Sequence, residues 1–269
     1  MPSTLARTHR DEIARLRRQV QRGVLRAWND LPEVTQSTMD EWLDRVVPLV
    51  TAGRAVAVSE TDGYFSAYLQ AVGEDAPPLG LNPDDFRRPQ PDERVYARPF
   101  VHTFTKRSEG MEPAAAAQFG GQIAATLANT DLTLASRGAA HRWTSTDQRI
   151  TGYRRVIGPE ACGFCVTVST RMYKRGDLLP IHDNCGCSVE PVVRDRTGDV
   201  PLSFEARAER LGHTDFAINQ RQRELMREGD WAAARRVAEE NVATRVHGEL
   251  GPVLVNPNHQ FTGPEDVAV

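Results

Sequence analysis

All four cysteines of this 269-residue chain lie between positions 162 and 187. The run reads Cys162-Gly163-Phe164-Cys165, then, after sixteen further residues, His182-Asp183-Asn184-Cys185-Gly186-Cys187. A C-x-x-C pair lets two thiolates turn toward one point, and Gly163 eases the turn. His182 and Cys185 form a second pair at the same spacing. Two such knuckles can build a tetrahedral site, and thiolate with imidazole selects zinc over magnesium or calcium. Cys162, Cys165, His182, Cys185 and Cys187 are five candidates for four positions. Side chains 185 and 187 point the same way in an extended stretch, so spacing does not choose between them. Two other readings stay open. Disulfides require an oxidising compartment, and the first thirty residues lack the apolar run of a secretory signal. A redox C-x-x-C pair or reduced core thiols complete the list. A structural zinc would stand in for a core that a short strand-and-loop segment cannot build alone.

Other chemistry is sparse. There is no G-x-S-x-G elbow, no phosphate-cradling glycine loop, no kinase set and no H-E-x-x-H. Arg175-Gly176-Asp177 spells an adhesion tripeptide of a kind that arises by chance. His102, His141, His213, His247 and His259 are isolated and read as surface or packed histidines rather than bases. The expectation is a protein that is not an enzyme and takes no small-molecule substrate.

The elements that must position the cysteines are mainly helical. Ile13, Leu16, Val20 and Val24 recur at helical spacing, with Arg15, Arg18, Arg22 and Arg26 around the remainder. That helix reads as a solvated face on an apolar stripe, or as a basic arm for DNA or an acidic partner. A second helix is expected from Thr38, with Thr38 and Glu41 at capping-box spacing and Pro48 kinking or dividing it. A third covers about 61–72. Six prolines and glycines between 77 and 91 mark a linker or long loop. A helical pattern resumes over 93–107. Another helix starts at Pro113, carries Gly120 and Gly121 and ends near Leu127. Asn129-Thr130-Asp131 reads as a break and a new cap, followed by a short helix to His141. Short strands are expected at Tyr153–Ile157, 165–170 and 187–193, where β-branched residues collect. Helices return at Phe204–Leu211, Phe216–Met226 and Trp231–Val246, and the last twenty residues read as loop or tail.

The fold class expected is therefore α+β, mostly helical: helical N-terminal and C-terminal regions around a small β-containing, zinc knuckle-like Cys/His segment. The segments are 1–76 (helical), 77–92 (proline-rich linker), 93–191 (the domain with the Cys/His cluster) and 192–269 (helical region and tail). Hydrophobic residues make up 40% and charged residues 26%, ordinary for a globular protein. The net charge of −3 excludes a surface devoted wholly to nucleic acid. Charge alternates along the chain: positive over 1–30, negative over 31–94, positive over 95–191 and negative beyond, a pattern suited to protein partners. No stretch is long and apolar enough to be a membrane span. Only Lys106 and Lys174 among the 33 basic residues are lysine, a mark of a GC-rich coding sequence.

With C-G-F-C, P-I-H-D-N-C-G-C, a short strand and Pro191 in view, the chain resembles the phage Mu F-like minor head proteins, the phage head morphogenesis family. Trp143, Asp147, Tyr153–Ile157, Cys162, Cys165, His182, Cys185 and Cys187 match its pattern in order. The likeness is closest to versions from phages of GC-rich actinobacteria. It is strongest over 93–191, extends to 200–266, and is faint over the first 90 residues. The resemblance implies a minor capsid protein in the virion, near the portal vertex or capsid interior. Its partners would be the portal protein and the major capsid or scaffolding protein, with phage DNA a further candidate. Two alternatives are a capsid maturation protease, a label sometimes attached to such proteins, and a zinc-dependent DNA-binding module using the Arg-rich first helix. No Ser/His or metalloprotease motif supports the first.

Overall fold

The computed structural model describes residues 3–158, 161–169, 171–182, 185–193, 217, 219–263 and 266. Within them the order is α1 (Thr4–Asn29), α2 (Met39–Ala71), α3 (Asp92–Ser108), α4 (Pro113–Thr146), β1 (Ile150–Val156), α5 (Gly163–Val168), β2 (Met172–Lys174) and β3 (Ser188–Val193). Then follow α6 (Gln220–Arg227), α7 (Trp231–Glu240), β4 (Ala243–His247) and β5 (Gly251–Val255). The fold is α+β and mostly helical. The chain divides into two units whose boundaries fall inside α1, α2 and α4. One comprises Ile13–Glu60 and Gly80–Ser136; the other comprises Met1–Glu12, Thr61–Leu79 and Arg137–Val269.

The unit of Ile13–Glu60 and Gly80–Ser136 is all helical around an aliphatic and aromatic core. Val20, Val24 and Trp28 of α1 meet Trp42, Val46 and Val50 of α2, Tyr96 and Phe100 of α3, and Ala124, Ala128 and Leu132 of α4. Trp28 stands edge-on to Trp42 at 5.2 Å and donates its indole N–H to Ala117 O at 2.9 Å. Gly120 and Gly121 are where α4 comes closest to its neighbours. A Cβ at Gly120 would lie 2.1 Å from Thr103 Oγ1 and 2.9 Å from Pro99 O, so only glycine fits. Two buried ion pairs, Arg54–Asp92 and Arg88–Asp131, lie in the same unit.

Several sequence expectations for these helices are corrected. A 3-10 turn at Gln36–Thr38, capped by Thr35, precedes α2, which starts at Met39 rather than Thr38. α2 then passes through Pro48 and absorbs the separate helix expected at 61–72. The lost hydrogen bond at Pro48 is outweighed by burial of Trp42, Val46 and Val50 on either side. Asn129-Thr130-Asp131 is no break: α4 runs on to Thr146. These polar residues are buried partners instead of caps. Asn129 Oδ1 accepts from Arg17 Nε at 2.7 Å, and Asp131 accepts from Arg88 and, at 2.8 Å, from Tyr96 OH.

The other unit is built on a three-stranded antiparallel sheet of order β2-β1-β3, with Arg155 opposite Val189 and Val156 opposite Ser188. Residues 165–170, expected as a strand, lie largely in α5, whose six residues are all buried. β-branched content misled there, because burial on all sides supports a short helix as well as a strand. The helix expected over Trp231–Val246 ends at Glu240, and Ala243–His247 becomes β4. Part of the expected tail is β5, antiparallel to β4. The expected helix at Phe204–Leu211 lies outside the described residues, as does Phe216; α6 starts at Gln220. Arg137, at the start of this unit's share of α4, donates to the carbonyls of Leu179, Leu250 and Pro252 and so ties the hairpin to the loop before His182.

Candidate metal centre

Each ligand candidate is placed by a different device. Cys162 is the N-cap of α5 and Cys165 sits in its first turn, so helical geometry turns both sulfurs to one side. α5 is pinned from two directions. Val166 packs with Leu225, Met226 and Ala234, and Phe164 and Val168 pack with Val242 and Leu254. His182 follows Ile181, which forms a parallel bridge with Val253; Leu254 N donates to Ile181 O at 2.6 Å. Cys185 closes a turn back on His182, its N–H reaching His182 O at 3.1 Å. Cys187 immediately precedes β3.

The five expected residues come together. They form two triads that share Cys165: Cys162–Cys165–His182 and Cys165–Cys185–Cys187, with the ligand atoms of each triad within 4.8 Å of one another. His182 Nε2 lies 3.1 Å from Cys162 Sγ and 3.0 Å from Cys165 Sγ. Cys165 Sγ lies 3.8 Å from Cys185 Sγ and 2.9 Å from Cys187 Sγ. Ligands at ~2.3 Å from a tetrahedral zinc are separated by about 3.8 Å. Cys165–Cys185 at 3.8 Å matches that edge, and the other three spacings, 2.9–3.1 Å, are shorter. The four cysteines are unpaired thiols. The 2.9 Å contact is well beyond the ~2.05 Å of a disulfide. A soft, crowded and mostly buried donor set of this kind can hold a metal ion, and thiolate plus imidazole favours zinc.

The electrostatics explain how so many thiols share one pocket. The hydrogen bond with Cys165, helped by His182, pulls the Cys162 thiol down to about 4. Cys185 is likewise held well below the usual thiol range, first by Cys165 and Cys187. Cys165 is pushed up by its hydrogen bonds to Cys162, Cys185 and Cys187 and by burial. Cys187 is lowered by Cys165 but raised more by Cys185 and burial, to about 12. Burial alone would lower His182; the neighbouring thiolates, Cys185 foremost, outweigh it and lift the ring to about 10. The cluster thus holds thiolate charge against a protonated imidazole. A divalent cation would take over that role and displace the remaining protons.

Sequence reasoning missed Arg155. Its guanidinium is fully buried, with Nη1 at 3.8 Å from Cys165 Sγ and 3.6 Å from Cys185 Sγ, and Nη2 bonded to Pro180 O. The signal was present: Arg154 and Arg155 are consecutive in a strand, so each face of a buried sheet receives a cation that needs a partner. Arg154 has Glu190, with Nε 2.7 Å from Oε2. His9 was also missed. Its ring stacks on Tyr64 at 4.2 Å, and its nitrogens lie 2.9 Å from Ser188 Oγ and 3.2 Å from Thr61 Oγ1. All three hydroxyl and imidazole groups are buried, which makes this a packed polar cluster rather than an open Ser–His site. Of the isolated histidines, His141 reaches Gly176 O at 2.8 Å and His247 accepts from the N–H groups of Glu249 and Leu250. His213 lies outside the described residues.

Among known proteins, the family model described as "VG15 protein" matches residues 1–207. No curated protein and no solved structure matches.

Proposed function

The chain belongs to the VG15 family of phage proteins, and from that premise we propose that it is a minor head protein without enzymatic activity. It acts near the portal vertex during head assembly, and a structural zinc ion holds its Cys/His segment. The observation that carries this reading is the enclosure of the cluster. Cys165 and Cys185 are buried to 1% exposure and His182 to 8%. A thiolate-rich set so enclosed suits a metal that fastens chain segments together better than one that admits water and substrate. Four of Cys162, Cys165, His182, Cys185 and Cys187 would hold the zinc. It would join α5, the loop before β3 and, through Ile181, the C-terminal hairpin. The Mu F-like order of Trp143, Tyr153, the cysteines and His182 supports the head-protein role. On that resemblance its partners are the portal protein and the major capsid or scaffolding protein, with phage DNA as a further candidate. No described helix is long and apolar enough to cross a membrane.

The test is a phage lacking this gene, together with mass spectrometry of purified wild-type heads. The proposal expects a few copies per head and, without the gene, heads that are malformed or fail to fill. Absence of the protein from heads, or normal heads without it, overturns the reading. Normal cleavage of the major capsid protein in the phage lacking this gene would count against the protease alternative.

A further inference from the structure

We propose that Arg155 is the buried counter-cation of the metal centre, a positioning residue that makes the site a three-thiolate centre for a divalent ion. This rests on the metal reading above. Arg155 is 0% exposed. Its contacts are Pro180 O, the hydroxyl of Tyr173 at 3.5 Å, the Tyr173 ring at 5.9 Å, and the sulfurs of Cys165 and Cys185. Its Nε has no partner. No carboxylate among the described residues pairs with it, in contrast to buried Arg154 with Glu190, Arg54 with Asp92 and Arg88 with Asp131.

A guanidinium does not give up its proton in a protein, and burying one is costly unless an anion or several carbonyls take its donors. Buried Arg137 has the carbonyls of Leu179, Leu250 and Pro252, whereas Arg155 has one carbonyl and the sulfurs. The anions within reach are the thiolates. A centre of two thiolates and two neutral ligands around a divalent ion would carry no net charge, leaving Arg155 unmatched. Three thiolates with one imidazole carry one net negative charge, and Arg155 balances it. A monovalent ion in the same ligands would leave an excess of negative charge. The fork geometry also fits: one nitrogen faces the sulfurs while the other is fixed by Pro180 O, so the charge is aimed and not merely nearby. Cys165 and Cys185, which Arg155 touches, are then ligands in every arrangement, and the choice of the fourth falls between Cys162 and Cys187 with His182 retained.

The experiment measures zinc affinity of the full chain by competition with a chromophoric chelator, for wild type, Arg155→Lys and Arg155→Gln. Gln carries no charge; Lys keeps the charge without the fork. Circular dichroism of the zinc-saturated proteins checks folding. The expected result is a loss of roughly tenfold or more for Arg155→Gln, with Arg155→Lys recovering most of it. Cobalt-loaded wild type should show thiolate charge-transfer absorption of three-thiolate strength. Equal affinities for the Lys and Gln variants, or both within about twofold of wild type, overturn the role of Arg155. Should Arg155→Gln not fold, Arg155→Lys at a tenth or less of wild-type affinity overturns it equally. Failure of the wild type itself to bind zinc or cobalt refutes the metal reading instead, and so the two failures are distinguishable.

Discussion

His9 offers the cleanest prediction of acid sensitivity. Burial holds its imidazole down from 6.5 to about 3. Its nitrogens are committed to Ser188 and Thr61, and its face to Tyr64. A group whose folded-state pKa is depressed contributes its full stability above the unfolded value and loses it as pH falls toward the folded one. The window here is therefore pH 6.5 down to about 3. Proton linkage over that shift removes about 2 kcal/mol by pH 5 and about 3 kcal/mol by pH 4. The variant His9→Gln can still bond Ser188 and Thr61 but has no proton to gain. Urea denaturation of both zinc-saturated proteins at pH 7 and pH 5 gives a double difference in which protonation of the thiolates and carboxylates cancels. Wild type should lose about 2 kcal/mol more than His9→Gln between the two pH values. An equal loss would refute the argument that buried, neutral His9 drives acid unfolding of this unit.

Other predictions follow from the packing and the cluster. Gly120→Ala should lower thermal stability by about 1–3 kcal/mol despite alanine's better helix propensity, because the new Cβ meets Thr103 and the Pro99 carbonyl. Gly63→Ala, whose Cβ would meet nothing within 4 Å, should raise stability by about 0.5–1 kcal/mol, and calorimetry on both checks the contrast. Asp131→Ala strips Arg88 and Tyr96 of a buried acceptor and should cost about 3–5 kcal/mol in chemical denaturation. Cys165→Ser removes the sulfur common to both triads and should abolish metal retention through gel filtration; Cys187→Ser should weaken it less.

The candidate site was the most legible part of the chain, and for a local reason. Cys162 and Cys165 owe their convergence to a spacing of three, and His182 and Cys185 repeat it, so short-range geometry sufficed. What aims His182 was not legible. The bridge of Ile181 to Val253 spans some seventy residues, and nothing near either position announces it. Arg155 escaped for a related reason: its partners are thiols, which composition counts as apolar. In the helical regions, periodicity placed Ile13, Val20 and Val24 correctly on a buried face. It failed where polar residues serve the interior. Asn129 and Asp131 look like a cap by type, but their partners Arg17 and Arg88 lie far away in sequence. Pro48 similarly looks like a boundary until the burial of its flanking turns is known. The β4–β5 hairpin was overlooked because Trp231 and its alanines start a helix that simple pattern continues too far.

The most direct test of the account is the metal content and coordination of the purified, reduced, full-length chain, read by native mass spectrometry and zinc X-ray absorption. The account predicts one zinc per chain in a shell of three sulfurs and one nitrogen, lost with Cys165→Ser. A protein that is folded yet free of metal, or a zinc ion bound by oxygen ligands, would contradict it.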